Sequence, residues 1–230
     1  MQVVKIYFIE ITKISLNEFF FEIFFIKTSR LSISNLVAEE CKNRKPVDIG
    51  FMLDESGSVK PNDWKNTGKF TKVVAKAASI QKDLGQASII TFSTSSQLKI
   101  RFDAYQDYDD FARAVDNLSQ SRGGTNILDA LNRGLNEMFQ TTNGMREKSE
   151  KIAVLITDGE DSHNYKEVGK KYQERNIKLL VVGVGKVDKG KLKELVTEEK
   201  DFFVADDFDQ LLNTVVTRIA ENVQGVCEGN

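Results

Sequence analysis

Three short stretches carry the residues best suited to chemistry: Asp54-Glu55-Ser56-Gly57-Ser58, Gly123-Gly124-Thr125 and Thr157-Asp158-Gly159. The carboxylates of Asp54 and Asp158 and the hydroxyls of Ser56, Ser58 and Thr125 make an all-oxygen set with no sulfur or imidazole. Such a set suits a small hard cation such as Mg²⁺, which takes about six oxygens at roughly 2.0 to 2.1 Å and keeps some of its waters. The alternation in Asp54-x-Ser56-x-Ser58 lets a turning loop aim three side chains at one point, and Gly57 lets the backbone bend close to an ion. Two ionised aspartates neutralise a divalent ion and leave a position for an oxygen from outside. Each stretch also has an ordinary reading. Ser56 and Ser58 serve equally as caps or turn residues, and Asp158-Gly159 is a common turn pair; the information lies in their joint occurrence.

Other chemistries lack their parts. Cys41, Cys227 and the lone His163 cannot build a zinc site of sulfur and nitrogen, a haem attachment or a thioredoxin-type pair, and His163 reads as a surface residue. A hydrolase or phosphotransferase centred on Asp54 is disfavoured. No second Asp follows two residues later, no Gly-rich loop ends in Lys-Ser/Thr, and nothing near the three stretches reads as a base, so the chain is read as no enzyme. Thirty-two basic against 34 acidic residues give a net charge of -2 and no basic field, which excludes nucleic acid as a partner.

The elements that must position these stretches are legible from Pro46 onward. Apolar runs at 47–53, 87–92, 152–156 and 177–184 read as strands, separated by helical periodicity at 61–83, 107–118, 126–140, 164–175, 188–197 and 207–223. Strand-helix alternation implies a parallel sheet with helices on both faces. The run at 98–102 follows 87–92 after too few residues for a crossover and predicts an antiparallel edge strand. The expected fold is therefore α/β: a three-layer, doubly wound, Rossmann-like, mostly parallel sheet of six strands with one antiparallel edge strand. In such sheets ligands bind beyond the carboxyl ends of the strands, where the strand order reverses, and all three chemical stretches are strand ends or helix starts.

Residues 1–40 differ in composition, with six of the fifteen phenylalanines interrupted by Lys5, Glu10, Lys13, Glu18, Glu22 and Lys27. No uncharged run reaches membrane-spanning length, and 19–26 is a poor secretion signal, so this segment reads as an N-terminal extension. Asn117-Leu118-Ser119 fits a glycosylation acceptor, which matters only in a secreted chain.

The pattern Asp54-Glu-Ser56-Gly-Ser58, then Gly-Gly-Thr125, then Thr-Asp158-Gly, together with Leu179-Leu-Val-Val-Gly-Val-Gly185 and Phe202-Phe-Val-Ala-Asp-Asp-Phe208, resembles the von Willebrand factor type A (VWA) domain with a complete metal-ion-dependent adhesion site (MIDAS). The matrilin and non-fibrillar collagen subgroup is the nearest in kind. The resemblance implies a domain over 41–227 followed by a tail at 228–230. It implies an Mg²⁺ or Mn²⁺ ion held by Ser56, Ser58 and Thr125 through hydroxyls and by Asp54 and Asp158 directly or through water. Glu55, Gly124 and Asp161 would form the ligand-binding rim, and Cys41 and Cys227, which bracket the domain, would pair in a disulfide. The implied function is a non-enzymatic, secreted, extracellular adhesion module. Its ion would bind a Glu or Asp carboxylate of a matrix protein, collagen among them, and the chain could self-associate or be one module of a larger protein. The alternative is a structural matrix-assembly domain whose ion site is not the main contact.

Overall fold

The structure, a computed structural model, describes residues 45–224. The chain divides into two units, Met1–Glu40 and Cys41–Asn230. The expected N-terminal extension, Cys41, Cys227 and the tail all lie outside the described residues.

Six strands form one sheet: β1 (Val47–Asp54), β2 (Gly85–Phe92), β3 (Ser96–Ile100), β4 (Glu150–Thr157), β5 (Ile177–Val184) and β6 (Phe202–Ala205). Their order is β3-β2-β1-β4-β5-β6. All pairs are parallel except β2 with β3, which is antiparallel. The expected architecture is thus the observed one. β1 is central and buried along its whole length, as an apolar strand covered on both faces must be. Its odd residues Ile49, Phe51 and Leu53 enter one core, with Phe70 and Val74 of α1 (Pro61–Ala77) and Phe111 of α2 (Tyr108–Asp116). Met52 enters the other, with Leu131 of α3 (Ile127–Arg133), Tyr172 of α4 (Lys166–Glu174) and Leu192 of α5 (Lys189–Lys193). The last helix is α6 (Phe208–Gln210), a π turn at Leu211–Val215 and α7 (Val216–Gln224), which packs in the first core beside α1.

Several boundaries differ from the periodicity. The first helix stops at Ala77 rather than 83, because Ser79 and Asp83 take left-handed backbone angles (φ 55° and 69°) that no helix accommodates. The edge strand starts at Ser96, two residues early, with a register shift at Ile89/Ile90. The 126–140 helix is α3 followed by a π turn at Gly134–Met138. At Gly134 a β-carbon would stand 2.1 Å from the Tyr172 hydroxyl, so only glycine lets α4 approach this closely. The 188–197 helix shrinks to the five residues of α5.

Candidate metal centre

The sheet order reverses between β1 and β4, and the crevice beyond their carboxyl ends is the place where an open α/β sheet receives a ligand. Asp54 ends β1 and Thr157 ends β4, with Leu53 and Ile156 as neighbours in register. Asp54 is 3% exposed and its carboxylate is held from both sides. Oδ1 accepts from the Ser56 backbone N–H (2.9 Å), and Oδ2 accepts from the Thr157 hydroxyl (2.6 Å). The Ser56 and Ser58 hydroxyls lie 2.9 Å apart, and the Ser58 hydroxyl donates to Asp158 Oδ1 at 2.7 Å. Ser56, Ser58 and Asp158 thus form one chain of oxygens across two strand ends, joined to Asp54 through the Ser56 backbone N–H. Thr125 approaches from the helix side. A β-carbon at Gly159 would stand 2.8 Å from Thr125 Oγ1 and 3.0 Å from its Cγ2, so Thr125 faces the Asp158 loop without a gap.

The electrostatics are unbalanced in a telling direction. Burial pushes the Asp54 carboxyl up to about 6, against the lowering effect of its Ser56 and Thr157 bonds. Burial also raises Asp158, against its bond from Ser58. Neither carboxylate has a Lys or Arg ion pair among the described residues. Two desolvated carboxylates without a counter-charge, flanked by hydroxyl oxygens, are a donor set that a hard divalent cation fits. The described residues contain no cluster of three or more His, Cys, Asp or Glu able to hold a metal, so the set depends on its hydroxyls.

Of the three expected rim residues, two are turned inward. Glu55 is 3% exposed; its Oε2 accepts from the Ser121 N–H (3.2 Å), while its own N–H and carbonyl bond Phe92 O and Arg122 N. Asp161 has a side chain 5% exposed and accepts from the Ile127 N–H (2.8 Å) and the Tyr165 hydroxyl (2.6 Å). Glu55 Oε2 and both Asp161 oxygens are taken up by nearby N–H and O–H groups, as backbone N–H groups without sheet or helix partners require. Gly124 is exposed, with its N–H donated to Thr94 Oγ1.

Two other residues at the centre, Gln120 and Thr157, were not expected as part of it. Gln120 donates to the carbonyls of Ser56 (3.0 Å) and Val59 (2.7 Å), and Gly57 N–H bonds Gly123 O, so the 120–124 loop braces the Asp54 loop. Thr157 orients Asp54, and only its place beside Asp158 in the sequence pointed to it. Gly159→Ala is expected to force Thr125 and the Asp158 loop apart. It should lower cation affinity at least about tenfold with little change in melting temperature, as calorimetric titration and thermal melts on one sample would read.

Fold and site together define an open α/β domain with a cluster of carboxylates and hydroxyls at its switch point. The chain belongs to the von Willebrand factor type A domain family, whose pattern matches residues 48–218. It is similar to the collagen alpha-4(VI) chain of Mus musculus (30% identical over 174 residues, 76% of this chain and 7% of that protein). Matrilin-1 of Homo sapiens is 26% identical over 162 residues, 69% of this chain and 33% of that protein. The chain therefore spans a minor part of the relatives it matches. Among solved structures, proximal thread matrix protein 1 from the mussel byssus has the same fold, with a TM-score of 0.73 and 18% identity over 79% of this chain and 48% of that one. A structure of that protein with a zinc-occupied MIDAS motif gives a TM-score of 0.69 and 24% identity over 78% of this chain and 46% of that one.

Proposed function

We propose that this domain is a non-enzymatic, extracellular matrix-binding module that holds Mg²⁺ or Mn²⁺ at Asp54, Ser56, Ser58, Thr125 and Asp158 and, through the ion, a carboxylate of a matrix protein such as collagen. The observation that carries the reading is the Asp54–Asp158 pair, the first buried and the second half-buried, linked through Ser56 and Ser58 and without a basic counter-charge among the described residues. A divalent ion balances that pair and still accepts one more anionic oxygen, which a Glu or Asp of the partner supplies. Membership of a family whose relatives here are collagen and matrilin chains supports the matrix setting. Among the described residues no helix is long and apolar enough to cross a membrane.

The test is binding of the full chain to immobilised fibrillar collagen and to a matrix extract, in Mg²⁺, in Mn²⁺ and with chelator. Saturable retention that chelator abolishes is the expected result. Self-assembly of the chain that chelator leaves unchanged, with no ion-dependent retention, overturns the reading in favour of a structural assembly domain.

A further inference from the structure

We propose that Asp161 is a positioning residue for the cation site: its carboxylate ties the loop that carries Asp158 to the first turn of α3 and so fixes where Thr125 stands. The inference rests on the metal centre proposed above.

A helix leaves its first backbone N–H groups without internal partners. At α3 the Asn126 side chain takes the Asp129 N–H (3.0 Å), but the N–H groups of Ile127 and Leu128 both turn to Asp161 Oδ2, at 2.8 and 3.3 Å, from a loop more than thirty residues further on. The other oxygen is equally committed. Oδ1 accepts from the His163 N–H (2.9 Å) and the Tyr165 hydroxyl (2.6 Å), and His163 Nδ1 lies 3.2 Å away. Tyr165 is 1% exposed, and Lys191 Nζ, which lies over the Tyr165 ring, donates to the Asp161 carbonyl at 2.7 Å. Each oxygen therefore serves a different segment, and the residue is anchored by side chain and backbone.

Thr125 lies two residues before Ile127, and Asp158 lies three before Asp161. At no more than about 3.6 Å of chain per residue, both stand on short tethers from one fixed carboxylate. Thr125 fills the space that a β-carbon at Gly159 would need, so any drift of α3 from the Asp158 loop changes the Thr125–Asp158 separation directly. Burial acts to raise the Asp161 carboxyl, but the Tyr165 and His163 bonds outweigh it and hold the group below its ordinary value, so it acts as an anion at neutral pH.

The experiment is a Mn²⁺ titration of the full chain in acetate, acetate standing for the partner's carboxylate. Wild type, Asp161→Ala, Asp161→Asn, Thr125→Ala and the Asp161→Ala/Thr125→Ala double variant are compared well below their melting temperatures. Asp161→Ala is expected to weaken Mn²⁺ about tenfold, and Asp161→Asn, which keeps one acceptor oxygen and so one of the two ties, to recover only part of the loss. The double variant should be no weaker than Thr125→Ala alone, because Asp161 acts through Thr125. Asp107→Ala, which removes the cap on the Asp109 and Asp110 N–H groups at the start of α2, controls for general destabilisation and should leave Mn²⁺ affinity unchanged. Wild-type affinity in Asp161→Ala, or losses that add in the double variant, overturns the inference while the metal centre stands. No Mn²⁺ binding by wild type sinks the metal centre and the inference together.

Discussion

Asp54→Asn is expected to abolish divalent-cation binding and, in metal-free buffer at pH 7, to raise the melting temperature. The two effects share one cause. The folded protein holds the Asp54 proton more tightly than the unfolded chain, since burial lifts its carboxyl from 3.8 to about 6. A carboxyl raised on folding destabilises the folded state wherever it is ionised. Stability rises as pH falls through about 6, levels off below the unfolded value, and is lost again as pH climbs toward 7. At about 1.4 kcal/mol per unit, the ionised group costs up to about 3 kcal/mol at pH 7. Asn removes that cost with nearly the same shape. A gain of about 2 to 4 °C per kcal/mol recovered is the scale to look for. Without metal, wild type should gain stability from pH 7 to pH 5 and Asp54→Asn should lack that part of the gain. Saturating Mg²⁺ should stabilise only wild type, by about 2.7 kcal/mol at one hundred times its dissociation constant. Melts at pH 5 and 7, with and without Mg²⁺, check all of this; a metal-free Asp54→Asn protein less stable than wild type at pH 7 contradicts it.

Arg146→Met should be the more damaging change, by about 3 to 5 kcal/mol, although it lies at the other end of the strands. Asp48, second residue of β1, is fully buried. Arg146 gives it a backbone N–H (2.6 Å), Nε (2.8 Å) and Nη2 (2.6 Å), and Ser149 adds its hydroxyl at 2.7 Å. The same guanidinium donates to the carbonyls of Val47 and Leu84, tying the starts of β1 and β2. Removing it strands a buried anion, which costs far more than opening an exposed pair such as Arg101–Asp103, typically worth about 0 to 1 kcal/mol. Adding Asp48→Asn to Arg146→Met should recover part of the loss, because an amide is cheaper to bury than a lone carboxylate. Urea midpoints of the single and double variants measure it; equal midpoints for wild type and Arg146→Met overturn it.

How far the sequence could be read depended on the range of each interaction. Asp54, Ser56 and Ser58 share one turn, so their spacing alone announces a convergence, and Asp158 follows because β4 is an unmistakable apolar run. Thr125 was legible as a hydroxyl at a helix start, but only the family resemblance said that this helix start meets the Asp158 loop. The inward turn of Glu55 and Asp161 was hidden because an acidic residue in a loop defaults to solvent. What turns them inward are the backbone N–H groups of Ser121 and of Ile127, 66 and 34 residues away in the chain. The end of α1 was hidden because Ser79 and Asp83, rather than a glycine or proline, take the left-handed angles there. The mostly parallel sheet with its antiparallel edge strand was accessible because strands alternating with helical crossovers leave few alternatives, whereas the π turns depend on packing such as that of Tyr172 over Gly134.

The central place of β1 also has a mechanical meaning. A ligand bound at the Asp54 loop pulls on the carboxyl end of a strand whose amino end, at Val47, is where the described chain enters the sheet. Load between those two points runs lengthwise along β1, which is paired throughout with β2 on one side and as far as Leu53 with β4 on the other. Both ladders are then sheared, and their hydrogen bonds must yield together rather than unzip one by one. The strand that presents the proposed cation site is thus a part of the sheet well arranged to carry tension.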